Sequence, residues 1–411
     1  MADQKVLVIG GGAAGLLAAG RAAELGANVV LLEKNKMVGR KLLITGKGRC
    51  NVTNAGDINK FIENFSGNGR FLFSAFSKFF NQELEDLLKA QGVALKVERG
   101  GRIFPVSDKA ADIVKALQNY AVKNGALIQL NKNITGLVVE EGQLIGVKTA
   151  DDFLPAQRVI VATGGKSYPG TGSTGDGYLW AKEVGHSVVP PRPALVPLNT
   201  RESWVKDIQG LALKNVEVSL YKGEKLLGQE FGEMLFTHFG VSGPIILTLS
   251  RYVVSSTGLE LTLYINLKPA LSEEKLDLRL QRDFQKYQRK QLKNALDDLL
   301  PKNLIPIVIE QSGVSPEKFV HQITKQERMD LLKTLQALKL TVSGPRSLAE
   351  AIVTAGGVSL KEVDPRTMES KLLPGLYFAG EVLDIDGFTG GYNLQAAFST
   401  GYVAGESAAT K

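Results

Sequence analysis

Gly10, Gly12 and Gly15, followed by an acid at Glu33, have the spacing of a phosphate cradle. A pyrophosphate is held by backbone N–H groups that must come close. Gly10 therefore suits a tight turn, Gly12 the close approach, and Gly15 the packing of the next helix on its sheet. The positive end of that helix then faces the anion. Glu33, about 20 residues on, suits the hydroxyls of an adenosine ribose and would repel a 2′-phosphate. FAD and NAD use the same cradle, so these residues name a dinucleotide and leave open which one.

The elements that must position them read in order. Lys5–Ile9 is an apolar strand, Leu16–Ala27 a helix and Asn28–Leu32 a second strand, giving a complete β-α-β unit around the glycines. A chain of 411 residues calls for two or three domains. No apolar run approaches the roughly 20 residues of a membrane span, and Val6–Ile9 is too short for a signal-peptide core, so a cytoplasmic protein is expected. A single cysteine, Cys50, excludes an internal disulfide and a cysteine metal cluster. His186, His238 and His321 lack metal-ligand spacing, and no metal is expected. The net charge of +7 exceeds what two phosphates need; it points to a polyanionic partner or to nothing in particular.

After Glu33 the stretch Lys34–Asn54 alternates glycine with basic residues, as a loop wrapping an anion would, or as an exposed basic loop would. Residues 71–91 predict one helix with Phe73, Phe76, Phe80, Leu84, Leu87 and Leu88 on its buried face. Ala126–Leu130, Ile134–Glu140 and Leu144–Thr149 read as strands, and Arg158–Val161 as a buried strand ending on Ala162, Thr163 and Gly164. A second GxGxxG at Gly170, Gly172 and Gly175 begins too far from its strand and is followed by prolines instead of an acid, so it is rejected as a nucleotide fold. Val216–Tyr221 and Leu259–Asn266 belong to a β-rich region, and residues 271–340 turn helical. Tyr377–Glu381 reads as a strand ending near the cofactor, and the Gly390–Asn393 turn opens a closing helix. Lys275, Arg279, Arg282, Lys286, Arg289 and Lys293 recur at alternating four and three, a cationic stripe on a helix. A solvated amphipathic face explains that pattern as well as contact with RNA phosphates does.

Three longer motifs, Gly39–Asn51, Leu235–Pro244 and Gly380–Asn393, resemble the BaiN/RdsA (YhiN-like) family of FAD-dependent oxidoreductases, and the likeness runs from Lys5 to Gly401. The resemblance implies an α/β fold: a glutathione-reductase-like, Rossmann-type FAD domain with an inserted β-rich domain carrying a helical subdomain. The FAD domain would span 1–192 and 355–411, the β-rich domain 193–270 and 341–354, and the helical insertion 271–340. Gly10, Gly12, Ala13, Ala14 and Gly15 would cradle the pyrophosphate, Glu33 and Lys34 would serve the adenosine side, and Ile134 would offer backbone contacts to adenine. Arg40, Lys41, Thr45, Gly46, Gly48, Arg49, Cys50 and Asn51 would line the flavin side, with Ala162, Thr163 and Gly164 beneath. Gly380, Glu381, Asp386, Gly391, Tyr392, Asn393 and Leu394 would face the ribityl chain and the N1–O2 region of the ring.

The implied activity is reduction of an activated C=C bond, with FAD resident and NAD(P)H visiting as electron donor. Uridine in ribosomal RNA, reduced to dihydrouridine, is the leading substrate, because it also accounts for the cationic stripe and the net charge. The alternative is a small-molecule reductase or oxidase, of steroid-dienone or amine type, whose basic helix is incidental. Cys50, His238 and Tyr392 are the candidate proton donors, and each is equally a plain structural residue.

Overall fold

The computed structural model describes residues 5–65, 67–254, 256 and 260–410. It forms two compact units, Met1–Pro193 with Ile352–Lys411, and Ala194–Ala351.

The first unit is built on a five-stranded parallel sheet. Its order is Leu376–Phe378, Arg158–Val161, Lys5–Ile9, Asn28–Leu32 and Leu127–Gln129. After Lys5 and Arg158 the strands Lys5–Ile9 and Arg158–Val161 are apolar, because helices cover both faces of such a sheet; Val6, Leu7, Val8, Val159, Ile160 and Val161 are fully buried. Two antiparallel sheets of three strands are attached. One comprises Ile134–Glu140, Gln143–Thr149 and Phe153–Pro155, the other Thr53–Asn54, Arg102–Pro105 and Leu95–Glu98.

Helix Ala13–Glu24 packs against the closing helix Tyr392–Thr410 with their backbones almost touching. A Cβ on Gly401 would lie 2.3 Å from the carbonyl oxygen of Ala14, and one on Gly405 2.3 Å from that of Ala18. Glycines one turn apart on the closing helix are therefore what permits the approach. An ion pair between Arg21 and Glu406 at 2.6 Å ties the same two helices.

The second unit is a closed antiparallel barrel. Its strand order is Leu198–Thr200, Gly240–Ser242, Lys225–Thr237, Ala212–Lys222, Leu261–Asn266 and Leu338–Pro345. Leu259, placed by the sequence at the head of the fifth of these strands, lies outside the described residues. Helices Glu273–Lys286, Ile305–Ser312 and Lys325–Gln336 follow. Leu276, Leu280, Phe284 and Leu331 of these helices share one apolar core with Leu263 and Ile265 of the barrel.

One local expectation changes. Residues 71–91 form two helices, Phe73–Lys78 and Asn81–Ala90, instead of one. The chain turns extended at Phe79 and Phe80, and the Glu83 carboxylate caps the second helix by accepting from Phe80 N at 2.9 Å. Phe73 consequently leaves the buried face and is 53% exposed. The second glycine triplet is a loop before helix Asp176–Glu183, and the strand after it, Val188–Ala194, pairs outside the five-stranded sheet.

Replacing Gly401 by Val is expected to force the two helices apart. An overpacking cost of about 3 kcal/mol should lower the melting temperature by roughly 6–12 °C, read by calorimetry, whereas Gly142→Ala at an exposed hairpin turn should shift it far less.

Candidate functional site

The glycine turn is built as an anion seat. Gly10 has φ +104, and a Cβ there would meet the Ala162 carbonyl oxygen at 2.6 Å. A Cβ on Gly15 would lie 1.8 Å from the Gly10 carbonyl oxygen, so the helix reaches the sheet only because that position is bare. Gly12 is the opposite case: a Cβ there would meet nothing within 4 Å, so its outer side is open space. Gly12 is also the N-cap of helix Ala13–Glu24, with no side-chain cap and no acid in the first turn. The helix thus presents Ala13, Ala14 and Gly15 with its positive end uncompensated, as a pyrophosphate requires.

Glu33 stands beside that seat, 8% exposed. Its Oε2 accepts from Gly11 N at 2.8 Å, and its Oε1 from Asn35 N and Nδ2 at 2.8 and 2.6 Å. The carboxylate is oriented by three donors and retains acceptor capacity for ribose hydroxyls. Asn35, missed in the sequence, is the orienting residue; an amide two positions after the acid was the available signal. Arg40 donates to Asn35 Oδ1 at 2.6 Å and so supports the same group. Lys34 turns away, donating to Thr174 and pairing with Asp176 at 2.7 Å. Ile134 is buried at the start of its strand.

From Gly39 the chain runs through the short helix Arg40–Ile44 into a kinked turn at Thr45–Gly48. Lys47 and Cys50 hold φ of +59 and +60, conformations that cost a side-chain-bearing residue about 1 kcal/mol or more and gather at ligand sites. Thr45 Oγ1 donates to the Leu42 carbonyl at 2.7 Å, and Cys50 N to the Thr45 carbonyl at 3.0 Å. The turn then meets the C-terminal motif. Asn54 Nδ2 donates to the Gly390 carbonyl at 3.1 Å, Thr53 Oγ1 to Gln395 Oε1 at 2.6 Å, and a Cβ on Gly391 would strike Thr53 at 2.4 Å. Asn393 clasps its own loop, accepting from Gly387 N and donating to the Gly387 carbonyl, both at 2.8 Å. Asp386 lies half-buried in that loop, and Leu394 packs on the core.

Glu381 is the hub on the other side. Lys41 Nζ reaches its Oε2 at 2.7 Å and Ser167 Oγ at 2.7 Å, while Thr354 N and Ser167 Oγ donate to its Oε1 at 2.8 and 3.0 Å. Thr354 and Ser167 had no signal in the sequence, because their role depends on residues far along the chain. Gly380, φ +79, would bring a Cβ within 2.9 Å of Ala14 Cβ. The buried Thr163 Oγ1 and Asn51 Oδ1 have no hydrogen-bond partner, which fits a polar ligand that completes them. The open Gly12 face, the uncapped helix and these two groups fit FAD. Arg49 is placed elsewhere: it pairs with Glu98 at 2.7 Å and stacks over Phe104 at 4.0 Å.

Of the three candidate donors, Cys50 and Tyr392 belong to the first unit and His238 to the second. Cys50 is fully buried, and burial pushes its thiol up to about 12. Tyr392 is 5% exposed and meets Phe61 edge-on with centroids 4.8 Å apart; burial raises its hydroxyl above the ordinary value. His238 belongs to the barrel unit, exposed on the turn between Lys225–Thr237 and Gly240–Ser242. His186 is buried between Glu362 at 3.2 Å and Ser370 at 2.8 Å, and His321 contacts the Gln288 carbonyl at 2.7 Å. Among the described residues no group of three metal-ligating side chains exists and no helix is long and apolar enough to cross a membrane.

The cationic stripe is not continuous. Its helix ends at Lys286, leaving Arg289 and Lys293 beyond it. Arg279 pairs with Asp283 at 2.6 Å, Lys286 with Asp298 at 2.8 Å and Lys293 with Glu317 at 2.7 Å. Lys275, Arg282 and Arg289 are exposed between them.

Residues 4–407 match the family of the HI0933-like protein Rossmann domain. A ribosomal RNA dihydrouridine synthase of Haemophilus influenzae is 33% identical over 401 residues, 96% of each chain. A 3-dehydro-bile acid delta(4,6)-reductase of Clostridium scindens is 32% identical over 412 residues, 99% of each chain. Among solved structures, the 3-ketosteroid-delta4-(5alpha)-dehydrogenase of Rhodococcus jostii RHA1 superposes with TM-score 0.53 at 16% identity, covering 100% of this chain and 98% of that one; the likeness is one of fold.

Two outcomes follow from the geometry. A thiol held near 12 is ionised at about pH 8 in roughly one molecule in ten thousand, so iodoacetamide should leave Cys50 unmodified in the folded protein and alkylate it after denaturation; rapid native labelling would show that the loop opens. Gly12→Asp places a carboxylate at the open helix end, and bound flavin per protein, measured by absorbance, should fall at least about tenfold; unchanged flavin content would show that the seat holds something else.

Proposed function

We propose that the chain, which belongs to the HI0933-like family and has a ribosomal RNA dihydrouridine synthase and a bile acid reductase among its relatives, reduces the activated C=C bond of uridine in ribosomal RNA with electrons from NAD(P)H. The observation that carries the flavin part is the open, uncapped seat at Gly12 beside the preoriented Glu33. The RNA part draws on the names of relatives from Haemophilus influenzae and from Escherichia coli K12, the latter 32% identical over 414 residues, and on a net charge of +7.

When bound, FAD supplies reversible two-electron chemistry to a polarised double bond. Gly10, Gly12, Ala13, Ala14 and Gly15 would hold its pyrophosphate and Glu33 its ribose. The turn Gly391–Asn393 would place the positive end of the closing helix towards negative charge developing on the ring. Lys41 would hold the Glu381 carboxylate in place, and Glu381 would face the ribityl chain. Thr163 and Asn51 would complete their hydrogen bonds on the bound group. NAD(P)H would visit as a substrate, since the second glycine triplet builds no second dinucleotide seat. Of the candidate proton donors, His238 is exposed and Cys50 and Tyr392 are enclosed; the donor's proton would go to the carbon of the double bond that does not receive hydride.

A second reading, reduction of an unsaturated small molecule, is favoured by the carboxylates that already neutralise Arg279, Lys286 and Lys293. Mass spectrometry of ribosomal RNA from cells with and without the gene separates the two. The first reading expects one uridine to lose the mass of an added hydrogen pair when the gene is deleted. An unchanged RNA would move the substrate to the metabolites.

A further inference from the structure

The outer wall of the barrel carries a second constellation, separate from the basic helix. Strands Lys225–Thr237, Ala212–Lys222, Leu261–Asn266 and Leu338–Pro345 lie side by side. Alternation turns Val218, Leu220, Leu263, Ile265 and Leu340 into the barrel, all fully buried. The same alternation leaves Glu217, Ser219, Tyr221, Tyr264 and Asn266 on the outside. Register sets Phe231 and Asn266 on either side of Glu217, and Tyr264 between Ser219 and Lys339.

Three aromatic rings thus share one exposed wall. Phe231 is 52% exposed, and the rings of Tyr221 and Tyr264 meet edge to face with centroids 5.5 Å apart. Tyr221 and Tyr264 floor a shallow concavity of about 320 Å³, bordered by Glu217, Ser219, Asn266, Gln336 and Ala337. Rings in a protein–protein contact are commonly set among apolar neighbours, whereas this rim, Ala337 apart, is a carboxylate, a hydroxyl and two amides. Such a rim can stack a planar heterocycle and satisfy the donors and acceptors on its edge. Lys339, exposed and paired in register with Tyr264, is a cation placed for phosphate along the wall. Glu217 accepts from base N–H groups and repels phosphate, so it belongs under a base.

We propose that this wall binds single-stranded RNA, with an unpaired base stacked on the Tyr221–Tyr264 pair, its edge read by Asn266, Gln336 and Glu217, and its phosphates beside Lys339. The proposal rests on the RNA reading of function and deepens it, because it places recognition on flanking unpaired nucleotides and not on a duplex. A duplex buries its base faces and offers nothing for the rings to stack on.

The test is fluorescence anisotropy of the FAD-loaded protein with a labelled single-stranded oligouridylate and with an RNA duplex of equal length. The wild type should bind the single strand more tightly than the duplex. The double substitution Tyr221→Ala with Tyr264→Ala should weaken single-strand binding at least about tenfold with flavin content unchanged, and Tyr264→Phe, which keeps the ring, should bind as the wild type does. Equal binding by the double variant, preference for the duplex, or no binding of the single strand by the wild type would each overturn the proposal. None of those results bears on the ribosomal RNA mass comparison. Conversely, an unchanged RNA mass with ring-dependent binding would remove uridine reduction and leave the wall as an RNA-binding surface.

Discussion

The whole flavin unit depends on how closely two helices approach. Helix Ala13–Glu24 begins at the pyrophosphate seat, and the closing helix begins at the Gly391 turn; their crossing at Ala14–Gly401 and Ala18–Gly405 holds those two beginnings together. Any side chain at Gly401 or Gly405 would strike a backbone carbonyl, so the distance is set by main chain against main chain and has little freedom to relax. Gly380 against Ala14 and Gly391 against Thr53 repeat the same arrangement nearer the ligand. Precision at the site therefore comes from missing side chains more than from polar contacts.

Around that frame most charges are already spoken for. Lys41 is fixed by Glu381, Lys34 by Asp176, Arg49 by Glu98 and Arg21 by Glu406. The pairing of Lys41 with Glu381 and Ser167 is the one with chemical reach, because it stiffens a carboxylate at the edge of the flavin seat; isolated surface pairs contribute little to stability. What is left open for a ligand is backbone dipole at Gly12, with the unpartnered Thr163 Oγ1 and Asn51 Oδ1 in the same unit.

The β-α-β unit was legible in the sequence because every signal for it is local: glycines, an apolar strand and an acid within one stretch of chain. The break at Phe79 and Phe80 was not. The aromatic periodicity runs through it, and the deciding feature is a single capping contact from Glu83. The cationic stripe was misjudged for a related reason. Helical spacing lists which residues share a face, yet says nothing about Asp298 or Glu317 arriving from later segments to meet them. Asn35, Ser167 and Thr354 escaped because their partners are brought by the fold, while the open side of Gly12 was visible as a glycine whose reason could be named in advance. The barrel's outer wall needed strand register, which alternation alone does not supply.

The flavin unit is assembled from both ends of the chain, with residues 194–351 intervening. On the ribosome the cradle at Gly10–Gly15 is made first and must wait for the entire barrel before Gly380–Asn393 and the closing helix exist. During that interval the first helix has no partner for its glycine-facing side, and the central sheet lacks the edge strand Leu376–Phe378. The two halves of the unit can therefore meet only after residues 194–351 have been made, and until then the sheet stands without one of its edge strands, the kind of unpaired edge through which folding intermediates misassemble.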